Sequence, residues 1–166
     1  MCNILVSACL LGVNCRYNGI EQPNKEVIDL LKRQDIHLIP VCPEQLGGLP
    51  TPRMPAEISE DGKVLTKDGR DVTKEYRCGA EEALQLAELY DCKAAILKER
   101  SPSCGYGEVY DGTFSGKLIR GNGVTASLLA EHGIKVFGES EVSACRTDHR
   151  EEETGIKTEP MTGPTD

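Results

Sequence analysis

The sequence predicts an α/β fold, a single-domain doubly wound and mostly parallel sheet of the Rossmann-like or flavodoxin-like kind, with helices on both faces. Three observations carry that prediction. Short, mainly apolar runs at 3–7, 36–41, 94–97 and 134–137 have the length and composition of buried strands. Stretches with helical spacing stand between them, and strands alternating with helices form parallel sheets. The 166 residues suffice for one domain with its own core.

The elements follow in order. Residues 3–7 (NILVS) end in small residues ahead of a Gly12 loop, a buried-strand pattern. Asn24 is placed to cap a helix running to about residue 34, with Val27, Leu30 and Leu31 at helical spacing. Residues 36–41 (IHLIPV) form a second strand whose exit Pro40 marks. The stretch 47–55 is too rich in Gly and Pro for regular structure, and 64–71 reads as a small turn. Asp71 then caps a long helix to about residue 90. Val72, Tyr76, Ala80, Ala83, Ala87 and Tyr90 share its apolar stripe. Residues 94–97 are a third strand. Gly121, Asn122 and Gly123 open a helix over 124–132, and 134–137 are the fourth strand. The tail has three basic and six acidic residues and no periodicity, so the domain is placed at 1–145 and a polar, disordered tail at 146–166.

Composition excludes several function classes. A hydrophobic fraction of 39% excludes collagen-like, mucin-like and wholly disordered chains. No run approaches the length of a membrane-spanning helix. A formal charge of −8 makes the chain a poor partner for a phosphate backbone, so neither long nucleic acid nor membrane is expected as a partner. The opening Val-Ser-Ala-Cys resembles a lipoprotein cleavage box, but it lacks the basic and apolar regions of a leader. A cytoplasmic location follows as the expectation. The eight cysteines are then free thiols, catalytic groups or metal ligands.

Ligands of an open parallel sheet bind beyond the carboxyl ends of its strands. Cys9 follows the first strand, Cys42 the second, and Cys104 the third; Cys15 lies in the loop after Cys9. Cys2, Cys78, Cys92 and Cys145 read as small hydrophobes or bystanders. Gathered thiolates repel one another unless a cation absorbs their charge, and soft sulfur selects zinc or iron–sulfur clusters. The paired spacing of structural zinc sites and the ordinary ferredoxin spacings are both absent.

Glu44 stands two residues from Cys42, so an extended segment would turn both to one side, where desolvation favours a protonated carboxyl. Pro102 pushes Ser101 toward extended geometry, and Gly105 and Gly107 allow close approach to a ligand. The backbone opening the helix at 124 is free to hold a carbonyl oxygen or an anion. Arg16 and Arg53 can pair with Glu44 or grip a substrate. Tyr17 and Tyr106 are the candidate stacking faces in a chain with no Trp and two Phe. Two alternatives stand beside a cluster enzyme: a zinc or redox thiol-binding module, and a cluster-binding sulfur-relay protein.

Three segments in order, SACLLGVNCRYNG from Ser7, PVCPEQLGGLPTPR from Pro40 and LKERSPSCG from Leu97, resemble a bacterial family of thiouracil desulfidases of the TudS type. The resemblance covers residues 3 to about 138. It implies a 4Fe–4S cluster on three cysteines, with the fourth iron open to the substrate sulfur. It assigns Cys9, Cys42 and Cys104 as metal ligands, with Cys15 as the alternative third. Longer relatives tend to lack a cysteine matching Cys15, which favours Cys42. Glu44 matches the proton-transfer glutamate, and Ser101 or Ser103 its assisting serine. The implied activity is non-redox conversion of a thiolated pyrimidine to uracil and hydrosulfide.

Overall fold

The computed structural model describes residues 1–145; the tail expected at 146–166 lies outside the described residues. The elements are β1 (Cys2–Ser7), α1 (Lys25–Asp29), β2 (Ile36–Val41), α2 (Pro43–Leu46), β3 (Ala56–Ile58), β4 (Val64–Thr66), α3 (Thr73–Leu89), β5 (Ala94–Leu97), β6 (Glu108–Tyr110), β7 (Leu118–Arg120), α4 (Val124–Glu131) and β8 (Lys135–Gly138). The four expected strands form one sheet in the order β2-β1-β5-β8, and every pairing is parallel.

The period-two alternation of the central strands divides the core. Ile4, Val6, Ala94 and Ile96 face Val27 of α1 and Leu30 of the turn that follows it. Leu5, Ala95 and Leu97 face the other way, onto Ala83 and Ala87 of α3 and Ala126 and Leu129 of α4. Helices therefore cover both faces. The chain runs outward from β1 to the edge strand β2, then returns to β5 on the far side of β1. The strand order reverses at that point, so the crevice opens beyond the carboxyl ends of β1 and its neighbours.

Local chemistry explains where the elements depart from expectation. The Asn24 side chain accepts from the Val27 N–H at 3.1 Å, as a cap should. The α-helix nevertheless ends at Asp29 and tightens into a 3₁₀ turn over Leu30–Lys32. That turn buries Leu30 and leaves Leu31 58% exposed, off the apolar stripe. Strand β2 continues through Pro40 to Val41; at a sheet edge the missing N–H breaks no outer ladder bond. Tyr90 also leaves its stripe and is exposed beyond the end of α3. Cys78 is exposed, unlike the buried Cys92 and Cys145 and the half-buried Cys2. The turn at 64–71 belongs to a β3–β4 hairpin, and β6–β7 form a second one. Three-residue strands with at most two buried side chains leave too little pattern to read.

Two close backbone approaches set the geometry around the crevice. Helix α2 crosses α3 where Gly47 meets Gly79; a Cβ on Gly79 would lie 1.8 Å from the Pro43 carbonyl oxygen. Only glycine lets α2 lie so near α3. A Cβ on Gly123 would meet the Ser103 carbonyl oxygen at 2.3 Å, so the start of α4 lies directly on the loop carrying Cys104.

Candidate active site

A cavity of about 500 Å³ lies beyond the carboxyl ends of β1, β2 and β5. Cys9, Cys15, Cys42 and Cys104 all line it. Cys9 comes from the 3₁₀ turn Ala8–Leu11 immediately after β1, and Cys42 from the residue that follows β2. The loop after β5 brings Cys104. Its position is fixed from behind: the N–H groups of Val124 and Thr125 donate to the Pro102 and Ser103 carbonyls at 2.9 and 2.8 Å. Gly123 donates to the Gly105 carbonyl at 2.6 Å. The helix N-terminus is thus occupied by this loop, and the anion or carbonyl-oxygen site considered for Gly121, Asn122 and Gly123 is not formed. Across the strand ends, the Ser7 hydroxyl accepts from the Lys98 N–H at 2.9 Å.

Cys15 is central to the group. Interaction with the neighbouring Cys42 and Cys9 thiols, ahead of burial, holds its own thiol far above the ordinary range. The same contacts lower its partners. Cys42 is brought down to about 7 against the effect of burial. Cys9 is lowered by Cys15 first, with Lys98 and Arg16 assisting against burial and the charge of Cys42. Burial pushes Cys104 up. Among the described residues no three His, Cys, Asp or Glu side chains form the ligand set of a single metal ion. The four thiols share a cavity rather than a point, and soft thiolates suit zinc or an iron–sulfur cluster.

Glu44 lies in the first turn of α2, with Pro43 at the first helical position and Cys42 as its extended cap. The segment is therefore not extended throughout, as expected from spacing; the α2–α3 packing, not alternation, brings Cys42 and Glu44 to one cavity. The Glu44 carboxylate is ion-paired with Arg53, whose side chain is 7% exposed against 12% for Glu44. The guanidinium also donates to the Cys15 carbonyl at 2.9 Å and to the Pro50 carbonyl at 3.1 Å. The Arg53 N–H meets the Tyr17 carbonyl at 2.8 Å. Arg53 thus ties the first motif loop to Glu44, one of the two roles open to it from sequence.

Tyr76 was legible in the sequence only as a core residue of α3. It is 3% exposed, lines the cavity and lies beside Glu44; burial, with the charge of Glu44 adding to it, pushes its phenol up. The phenol therefore stays protonated, with a proton to offer the carboxylate.

The two serines separate. Ser101 lines the cavity, and its hydroxyl oxygen accepts from the N–H groups of Ser103 and Cys104, each at 3.1 Å, leaving its proton to donate. Ser103 is buried and pairs with the Thr125 hydroxyl of α4 at 2.8 Å. Ser101→Ala should lower turnover at least tenfold with substrate affinity little changed. Ser103→Ala should act mainly on stability, by about 1 kcal/mol for a lost buried hydrogen bond. Steady-state kinetics beside thermal melts of both variants check this, and the reverse pattern would exchange the roles.

Arg16 and Tyr17 line the cavity; Tyr106, 40% exposed, is not among the lining residues. Tyr110 and Phe114, which sequence reasoning missed, are.

A family model described as 2-thiouracil desulfurase matches residues 4–141. The protein YbbK of Bacillus subtilis (strain 168) is 46% identical over 149 residues, covering 84% of this chain and 97% of that protein. The solved structure of a [4Fe-4S]-dependent thiouracil desulfidase, TudS, is similar with a TM-score of 0.84 at 41% identity. The likeness covers 90% of this chain and 99% of that one.

Proposed function

Because this chain belongs to the 2-thiouracil desulfurase family, we propose that it is an iron–sulfur-dependent, non-redox desulfidase that converts thiouracil to uracil and hydrosulfide. One observation carries the reading: four thiols, a carboxylate and a serine hydroxyl, drawn from three distant motifs, line one cavity at the strand ends. The donor set fits the cofactor, because three separate thiolates hold a 4Fe–4S cluster and leave one iron without a protein ligand. Cys9, Cys42 and Cys104 would hold it, with Cys15 as the alternative to Cys42. When bound, the cluster supplies a thiophilic Lewis acid for the thiocarbonyl sulfur.

The chain's own residues do the rest. Glu44 takes the proton of the water that attacks the thiocarbonyl carbon, and Ser101 donates a hydrogen bond at the same site. Arg53 and Tyr76 hold the Glu44 carboxylate at the cavity wall, so that it does not turn away from the water. Arg16 lines the cavity and places positive charge there, whereas the Lys98 ammonium is ion-paired with Glu139.

None of the eight cysteines, all among the described residues, forms a disulfide, in keeping with a reducing cytoplasm as the place of action. No described helix is long and apolar enough to cross a membrane. The net charge of −8 favours a small base or nucleoside over thiolated RNA. The deciding experiment is anaerobic reconstitution followed by a panel of 2-thiouracil, thiouridine and thiolated tRNA. About four irons per chain, a visible absorption band and sulfide release fastest from the small substrates are expected. A zinc or redox thiol module would show neither iron nor sulfide release, and a sulfur-relay protein would bind the cluster without turnover.

A further inference from the structure

The cavity has a wall that neither the cysteines nor Glu44 explain. The end of β6 brings Tyr110 to it, the turn between β6 and β7 brings Phe114, and β3 brings Glu57. Phe114 adopts φ 57, the left-handed region that a bulky aromatic residue rarely occupies. Its neighbours Gly112 and Gly116 also have positive φ, with no side-chain penalty. A glycine at 114 would suit this backbone better, so the phenyl ring is kept against a local conformational cost, a pattern concentrated at functional sites.

The surroundings hold that conformation. The Phe114 N–H donates to Glu57 Oε2 at 3.0 Å, and Glu57 is one of the few buried charged residues, 8% exposed. On the other side of the turn Asp111 accepts from the N–H and hydroxyl of Thr113 at 3.0 and 2.6 Å. A buried carboxylate therefore fixes the backbone of an aromatic residue at the wall of a cavity that, on the reading above, takes a flat heterocycle. Of the two stacking candidates expected from sequence, Tyr17 lines the cavity from the first motif loop and Tyr106 does not line it.

We propose that Phe114 is the stacking face for the pyrimidine ring of the substrate and that Glu57 is the positioning residue that holds it there. The inference rests on the desulfidase reading for the identity of the heterocycle. Stacking on an aromatic side chain acts on the ring whether or not the sulfur is present, so substrate and product feel it alike. It therefore belongs in KM rather than kcat.

The test uses the full chain in two measurements: steady-state desulfidation of 2-thiouracil by the anaerobically reconstituted enzyme, and calorimetric titration with uracil, which needs no turnover. Phe114→Ala should raise KM and the uracil Kd together by about 10- to 100-fold with kcat within about threefold. Phe114→Tyr keeps the aromatic face and should stay within about threefold of wild type in both. Phe114→Gly relieves the backbone but loses the ring, and should match Phe114→Ala. Glu57→Gln retains a carbonyl oxygen for the Phe114 N–H and should keep most affinity, whereas Glu57→Ala should lose it.

Unchanged uracil affinity in Phe114→Ala overturns the inference, as does absence of uracil binding to the wild-type chain. Recovery of affinity in Phe114→Gly also overturns it, because backbone conformation would then be the cause. A wild-type enzyme that binds uracil but releases no sulfide overturns the desulfidase reading and leaves the titration to judge Phe114.

Discussion

Glu44→Gln should retain the iron content and the 2-thiouracil KM of the wild-type enzyme while losing roughly 10²–10⁴-fold in turnover, the usual contribution of general acid–base catalysis. Glutamine preserves the size of the side chain and one carbonyl oxygen for Arg53 and Tyr76, but it cannot take a proton from water. The substitution has a second consequence that separates it from a simple loss of a base. Arg53 is buried with Glu44 as its counter-charge, and its Nε has no partner among the described residues. Removing one partner of a buried pair costs up to about 3–5 kcal/mol, and the glutamine carbonyl keeps the loss toward the lower figure. A lowered melting temperature should therefore accompany the lowered rate. Arg53→Lys supplies the control. It restores charge without the fork that reaches the Cys15 and Pro50 carbonyls, so it should melt lower while retaining far more turnover than Glu44→Gln. Sulfide release, iron content and thermal melts of the two variants decide the matter. If Glu44→Gln turns over at nearly the wild-type rate, water is activated without this carboxylate and the proposed role of Glu44 is wrong.

The parts of the molecule visible in the sequence are those with a period or a chemical type of their own. The strands at 36–41 and 94–97 appear at their expected bounds, and Ile4, Leu5 and Val6 alternate between the two cores as buried strand residues must. Cysteines at strand ends stand out because reactive residue types recur at equivalent places in the topology. Tyr76 and Phe114 were hidden for the opposite reason. Tyr76 falls on the apolar stripe of α3, where a tyrosine packs like any large side chain, and the close Gly47–Gly79 approach of α2 to α3 sets Glu44 beside it. Phe114 lies in a turn whose partner, Glu57, is distant in sequence. The distinction between Ser101 and Ser103 depends likewise on Thr125, which reaches Ser103 through the seating of α4. Side-chain direction within a loop is set by what packs behind it, and spacing alone does not carry that information.

Replacing Cys9, Cys42 or Cys104 by alanine should abolish activity and empty the site of iron together, because each supplies one thiolate of a three-point anchor. Cys15→Ala is the variant that tests the ligand set. The structure gives Cys15 two separable functions. Its carbonyl accepts from Arg53 at 2.9 Å and from the Cys42 thiol at 3.7 Å, and alanine keeps both acceptors in place. Its thiol contacts Cys9 and Cys42, and alanine removes only that. If Cys42 is the third ligand, the loop after β1 stays fastened through the carbonyl, and Cys15→Ala retains most of its iron with a modest loss of rate. If the thiol of Cys15 is the ligand, iron falls to background although Arg53 still holds the backbone. Iron quantification and the visible absorption of the anaerobically reconstituted variants distinguish these outcomes independently of turnover. An iron-free Cys15→Ala beside an iron-replete Cys42→Ala would move the third ligand from the end of β2 to the loop after β1. Two of the three anchors would then come from one segment, and α2 would serve only to present Glu44.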